Sequence, residues 1–225
     1  VNKRPFLFFF GFFFLCLAAP MCGLLIPYTA NSSANRVERL TPLPVAILED
    51  SERGREVLVE GRVSSRNPAQ YESFVAYVRE EREVETNDEG TPTAGSWEET
   101  RRVTPPLLLE LSDGLVQIGN NDYNLGNART VERRSFLEDR EIRYKGFEAH
   151  DQVIAVGSLF STAEQPQINA EFIHRGTQAS YVASNRQAAT MGCVGGVVSA
   201  VVGGGLVLWG LATRLFPRRP WRFIR

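Results

Sequence analysis

Two uncharged runs bracket a middle of short alternating segments. Phe6 to Ile26 is 21 residues without a charge, seven of them phenylalanine. As a helix this run would reach roughly 31 Å, close to the hydrocarbon thickness of a bilayer. Pro27 and Tyr28 close it, so a first transmembrane helix is expected over 6–27. The rival is a cleaved signal peptide with Ser32 and Ala34 as its small-residue site, although such a peptide has a shorter apolar core. Ala188 to Thr213 is a second uncharged run of 26 residues, built largely from Gly, Val and Ala. It predicts a second transmembrane helix over 188–213.

Between them, 36–186 reads as strands and turns. Val57, Val59 and Val63 alternate with charged or small residues in Glu56–Val63, and Phe74 to Val84 alternates in the same way. Leu107–Leu111 and Leu115–Ile118 flank Ser112-Asp113-Gly114, whose Asp-Gly pair signals a hairpin because Gly accepts positive φ. Glu141–Phe147 and Gln152–Leu159 are expected to pair, with Ile168–His174 following the Gln165-Pro166-Gln167 turn. Thr86 to Thr100, with Gly90, Pro92 and Gly95, reads as a flexible excursion. Helical spacing is confined to Pro44–Arg53 and Ala183–Gln187. The fold class is therefore mostly β: a small antiparallel β sandwich or barrel-like extramembrane domain, flanked by two transmembrane α-helices.

Charge follows this division. All 26 acidic residues and 18 of the 25 basic ones lie between Arg36 and Arg186, a net charge of −8 for the middle. The stub 1–5 carries Lys3 and Arg4, and the tail 214–225 carries Arg214, Arg218, Arg219, Arg222 and Arg225. Basic flanks stay cytoplasmic, so both termini are expected inside and the central domain outside the cytoplasm. In the tail Trp221 and Phe223 interleave with the arginines, a pattern suited to lipid headgroups. With no dominant basic surface, nucleic acid is not an expected partner.

The second run carries two rows of small residues. Gly192, Gly196, Ala200 and Gly204 recur every four residues, beside Gly195, Ser199 and Gly203. Small residues let helices approach closely in lipid, so these seven form a candidate helix-packing interface. The occupant could be the Phe-rich first segment, another copy or a foreign subunit; the plain alternative is that Gly is common in membrane helices.

Candidate chemistry is sparse. Cys16, Cys22 and Cys193 all lie in the apolar runs, and His150 and His174 are the only histidines, so neither a four-ligand zinc site nor a disulfide framework is expected. The sequence has no G-x-S-x-G, G-x-x-x-x-G-K-[ST] or H-E-x-x-H motif. His150 and Asp151 would point to opposite faces of a strand. Asn120–Ala128 is a polar loop with a single carboxylate, Asp122, which is too few for calcium. No cofactor and no catalysis are expected.

The order of these segments resembles the GIDE-type, beside-a-membrane domain family, related to the membrane part of a mitochondrial E3 ubiquitin ligase. The resemblance is carried by Val57–Val63, Phe74–Val84, Pro106–Ile118, Gln152–Ser158 and Tyr181–Ser184. It implies a domain that recognises proteins beside a membrane. The ligase's zinc-binding RING has no counterpart, because no cysteine or histidine follows the second run; neither ligase activity nor a ubiquitin partner carries over. Val1 and a ratio of 23 Arg to 2 Lys suggest a GC-rich bacterial gene, hence the inner membrane and a periplasmic central domain. The expected function is a non-catalytic structural subunit of a larger complex, with a respiratory or photosynthetic assembly as the natural host and other integral membrane proteins as partners. A free-standing adaptor or quality-control factor is the alternative, and a membrane-bound hydrolase comes third.

Overall fold

The computed structural model describes residues 25–86, 92–135, 140–162 and 165–215. They form two compact units: Val37–Tyr181, and the described residues outside it, 25–36 with 182–215. The elements in chain order are α1 (Ile26–Arg39), α2 (Val45–Glu49), β1 (Glu56–Val63), β2 (Phe74–Thr86), β3 (Pro92–Ala94), β4 (Glu98–Val103), β5 (Leu107–Glu110), β6 (Leu115–Ile118), β7 (Asn124–Gly126), β8 (Arg129–Ser135), β9 (Arg140–Glu148), β10 (Gln152–Ser161), β11 (Gln167–Arg175) and α3 (Gln178–Leu215).

Five strands close a barrel. Their order is β10–β1–β5–β6–β11, and β11 returns to pair with β10, while β7 adds to the outer edge of β11. The sandwich alternative is thereby set aside. The barrel is also not wholly antiparallel, because directions cannot alternate around an odd ring. The parallel seam falls between β6 and β11, at Gln167↔Gln117 and Ile168↔Ile118. This is an OB-type Greek-key arrangement, an architecture that fixes no function by itself.

The barrel interior follows from the alternation. Val57, Val59 and Val63 of β1 meet Leu107, Leu109, Val116 and Ile118 of the β5–β6 hairpin, with Val153, Ala155 and Leu159 opposite. In β11 a bulge between the partners of Val156 and Gly157 shifts the phase. Ile168, Ala170 and Ile173 therefore all point inward. Gly157 marks where two backbones come closest: a Cβ there would lie 2.1 Å from the Asn169 carbonyl oxygen. Asp113 of the β5–β6 turn accepts a bond from the Ala46 N–H at 3.3 Å, at the start of α2.

A second sheet is assembled from two excursions of the chain. β2, β3 and β4 leave between β1 and β5, β8 and β9 leave between β6 and β10, and the two meet through β2–β9. The described residues of Thr86–Thr100 are thus largely strand, correcting the expected flexible excursion: Val84↔Ala94 and Glu81↔Glu98 pair them back onto β2. The expected β9–β10 hairpin is corrected too. Both strands exist, but β9 pairs with β2 and β8 while β10 pairs with β1 and β11. His150 turns the chain with φ of 68°. Asp151 then fixes the crossing between sheets by accepting the Glu148 N–H at 2.9 Å and an Arg129 guanidinium bond at 3.0 Å.

The helices differ from expectation as well. Pro27 does not close a helix but lies within α1, which runs to Arg39. α3 begins at Gln178, ten residues before the apolar run, and its 38 residues extend about 57 Å. Among the described residues one helix, not two, is long and apolar enough to cross a membrane: it spans Gln178–Trp209, with a mean hydropathy of 2.0. Most of the expected first span, Phe6–Leu24, lies outside the described residues, as do Cys16 and Cys22.

Barrel closure gives a direct test. Gly157→Ala is expected to destabilise the domain by about 1–3 kcal/mol through overpacking, read as a lower midpoint in denaturant; an unchanged midpoint would mean that the β10–β11 contact relaxes freely.

Candidate functional site

A dense constellation of polar and aromatic contacts lies where β11 passes into α3. Gly176, at φ 122°, ends the strand, and Thr177 and Ser180 then exchange bonds. The Thr177 N–H donates to Ser180 Oγ at 2.9 Å, and the Ser180 N–H donates to Thr177 Oγ1 at 3.1 Å. This reciprocal cap satisfies donors that the first turn of α3 would otherwise leave open. Gln178 works on a second helix end. Its Nε2 donates to the carbonyls of Val37 and Leu40 at 2.7 Å each, at the C-terminal end of α1, where the Val37 carbonyl also accepts the Leu40 N–H at 3.1 Å. The Gln178 N–H meets Glu60 of β1 at 3.2 Å. One residue therefore joins the end of α1, the start of α3 and the barrel wall.

Aromatic packing reinforces this junction. Tyr181 stacks on Phe172 with centroids 5.3 Å apart, and the His174 ring meets it edge-on at 4.9 Å. On its other flank His174 leaves so little room that a Cβ on Gly126 would come within 2.7 Å of it. Its Nδ1 is buried without a hydrogen-bond partner. Burial, and secondarily the neighbouring Arg175 charge, hold the imidazole below its usual range.

Beyond the junction α3 presents two contrasting faces. Val182, Ala189, Gly196 and Gly203 are buried, and Asn185, Gly192, Ser199 and Leu206 are half-buried. These positions alternate by three and four residues, the spacing of a left-handed helix–helix seam. α1 shows the same rhythm, with Pro27, Ala34 and Val37 buried and Ala30 half-buried. Of the seven small residues singled out in the sequence, Gly196 and Gly203 are buried and Gly192, Gly195, Ser199 and Gly204 half-buried, whereas Ala200 is exposed. The opposite face is apolar yet open: Met191, Val194, Val197, Val198, Val201, Val202, Leu208 and Trp209 are 48–69% exposed. In the tail, Arg214 falls in the last turn of α3, and Arg218, Arg219, Trp221, Arg222, Phe223 and Arg225 lie outside the described residues.

The polar groups of the β domain are largely engaged with one another. Asn120 donates to Asp122 at 2.6 Å and to the Ala170 carbonyl at 2.7 Å, and the buried Tyr123 hydroxyl donates to the Pro105 carbonyl at 2.8 Å. The Asn120–Ala128 loop is thus fastened to its surroundings. On the second sheet Glu80 accepts from Arg143 and, at 3.0 Å, from Lys145. Burial works against its charge, but these two cations outweigh it and hold the carboxyl below the usual range. Arg82 pairs with Glu141 at 2.7 Å, and Arg82 and Arg143 both lie over the Trp97 ring, at 4.5 and 4.1 Å. His150 is exposed, while the Asp151 carboxylate is committed to Arg129 and the backbone. Among the described residues no three His, Cys, Asp or Glu side chains gather as metal ligands would.

No protein-family model matches the chain, and no similar curated protein or solved structure was found. The GIDE-type resemblance accordingly rests on the sequence segments themselves.

Two consequences can be measured. Gln178→Ala is expected to cost about 1–3 kcal/mol by removing the Gln178 donor from the Leu40 carbonyl and leaving the Val37 carbonyl with the Leu40 N–H, and to raise amide exchange around Leu40 before it does so in the barrel. For His174 the neutral form is favoured in the fold, so the unfolded chain takes up its proton first as pH drops. Stability should be full above about pH 6.5 and decline as pH falls through the folded-state value. The midpoint in denaturant at pH 7.5 and pH 5 would show this, and His174→Gln should remove that share of the loss.

Proposed function

We propose that this protein is a non-catalytic structural or accessory subunit, which stabilises a larger membrane protein complex through its helices and its extracytoplasmic β domain. The observation that carries the reading is the division of α3 into a sheltered face of small residues and an open face of valine, leucine and tryptophan. A helix apolar on its open side is suited to lipid or to other membrane helices. The chain would cross the membrane twice, with Phe6–Ile26 as the first pass. Both basic flanks would lie in the cytoplasm and the tail would rest on anionic headgroups. A bacterial inner membrane, with the β domain in the periplasm, fits this arrangement, and a respiratory or photosynthetic assembly would be a natural host.

The adaptor reading needs an open strand edge for peptide capture. Among the described residues β8 is bonded to β9 alone, which supplies such an edge. Four of its seven residues are charged, however, and charge is the usual guard against strand addition. This favours the subunit over the adaptor.

Gentle detergent extraction of native membranes, blue-native separation and mass spectrometry of the band distinguish the two. Co-migration at fixed stoichiometry with one large assembly is expected, and would name the process served. Migration alone, or with many substoichiometric proteins, would sink the subunit reading.

A further inference from the structure

We propose that Tyr71 and Tyr144 form an oxidative modification site, at which a one-electron oxidant joins their rings into an intrachain dityrosine that ties the β1–β2 connection to β9. The two rings are stacked in van der Waals contact, with centroids 4.1 Å apart and planes 14° from parallel. Both residues are half-buried, so oxidant and water reach them at the sheet surface. Tyr77 completes the cluster, with its centroid 5.5 Å from Tyr71 and 5.9 Å from Tyr144. It is tilted against both rings, by 47° and 58°, and is only 4% exposed. Of the other three tyrosines, Tyr123 is buried and donates to the Pro105 carbonyl, Tyr181 packs on Phe172 and His174, and Tyr28 lies in α1.

The backbone holds the pair together. Tyr144 sits within β9, opposite Arg79 of β2 and Val131 of β8. Tyr71 arrives from the β1–β2 connection, where it exchanges backbone bonds with Phe74 at 3.2 and 2.8 Å around a turn in which Glu72 takes φ of 51°. Ser73 Oγ then donates to Glu148 of β9 at 2.6 Å. Groups fixed side by side in this way react as though at very high concentration. Each phenol gives one electron to the oxidant and its hydroxyl proton to water, which leaves two neighbouring phenoxyl radicals. Their unpaired electrons form a carbon–carbon bond between ring positions ortho to the oxygens, and the hydrogen on each of those carbons moves to the phenol oxygen. The product lacks two hydrogen atoms, and the oxidant has taken up two electrons. The rings swing from parallel toward a twisted biaryl, a movement their half-buried position allows. The link closes a loop that holds β2, β3, β4 and β8, and constrains the unfolded chain as a disulfide would.

The test uses the full-length chain in detergent micelles, with tris(bipyridine)ruthenium(II) and persulfate under a flash of visible light as the oxidant. Mass spectrometry should find one main linked peptide, joining Tyr71 to Tyr144 and two hydrogens lighter than its parts, and dityrosine fluorescence should appear in the band of the single chain. Tyr71→Phe and Tyr144→Phe keep the rings and their packing, and each should abolish the link. Tyr77→Phe should leave it in place. In concentrated denaturant the preference for this pair should vanish. A main product that joins two chains or includes Tyr77 would overturn the inference. So would a link that survives either of the first two variants, an equal preference in denaturant, or no linked peptide while free tyrosine in the same tube is coupled. None of these outcomes depends on whether the chain joins a larger assembly.

Discussion

Directions cannot alternate around a ring of five strands, and much of this architecture follows from that constraint. One seam must be parallel, and parallel neighbours cannot be joined by a tight turn. After β6 the chain therefore travels before its last two barrel strands, and it uses the journey to build β7, β8 and β9. The excursion between β1 and β5 supplies β2, β3 and β4, and the two journeys meet as one sheet. The parallel β6–β11 contact is itself short. Closure depends more on β10, which is bonded along its length to β1 on one side and to β11 on the other.

Several charged groups of the β domain are paired with one another. Glu80 bonds to Arg143 and Lys145, Glu141 to Arg82, and Asp151 to Arg129. Such partly exposed pairs contribute little stability singly. Spread across β2, β8 and β9 they fix register, because a slip of one residue would carry each charge to the opposite face. The buried Tyr123 phenol, raised by desolvation, serves as a donor to one carbonyl.

Legibility in the sequence varied with how local the determining contacts are. The Asp113-Gly114 turn and its flanking leucines were readable because a hairpin depends on its own residues. The strands of β1, β9 and β10 were visible as alternation, but the separation of β9 from β10 was not. It depends on Asp151 finding Arg129, a partner 22 residues away. The polar length of α1 was hidden by Asn31, Ser32, Ser33 and Asn35, residues that compete for backbone bonds and usually mark caps and turns. The small residues of α3 stood out in rows of four, whereas its buried and half-buried positions Val182, Asn185, Ala189, Gly192, Gly196, Ser199 and Gly203 recur in steps of three and four. A straight row of four drifts around a helix, which carries Ala200 outward, whereas steps of three and four stay in line.

The ring also dictates an order of events during folding. β1 emerges early, but its main partner β10 follows about a hundred residues later, across both excursions. Local hairpins such as β5–β6 and β10–β11 can form at once, while the β1–β10 closure must wait and carries the loop-closure entropy of everything between. Until then β1 has only β5 and the Pro42–Leu43 segment beside it, and its other edge stays open, the kind of edge that recruits other chains. The last residues of β11 reach the ring just before α3 begins, so a nascent chain that stalls inside α3 would already hold a complete barrel, and one that stalls in β9 would not.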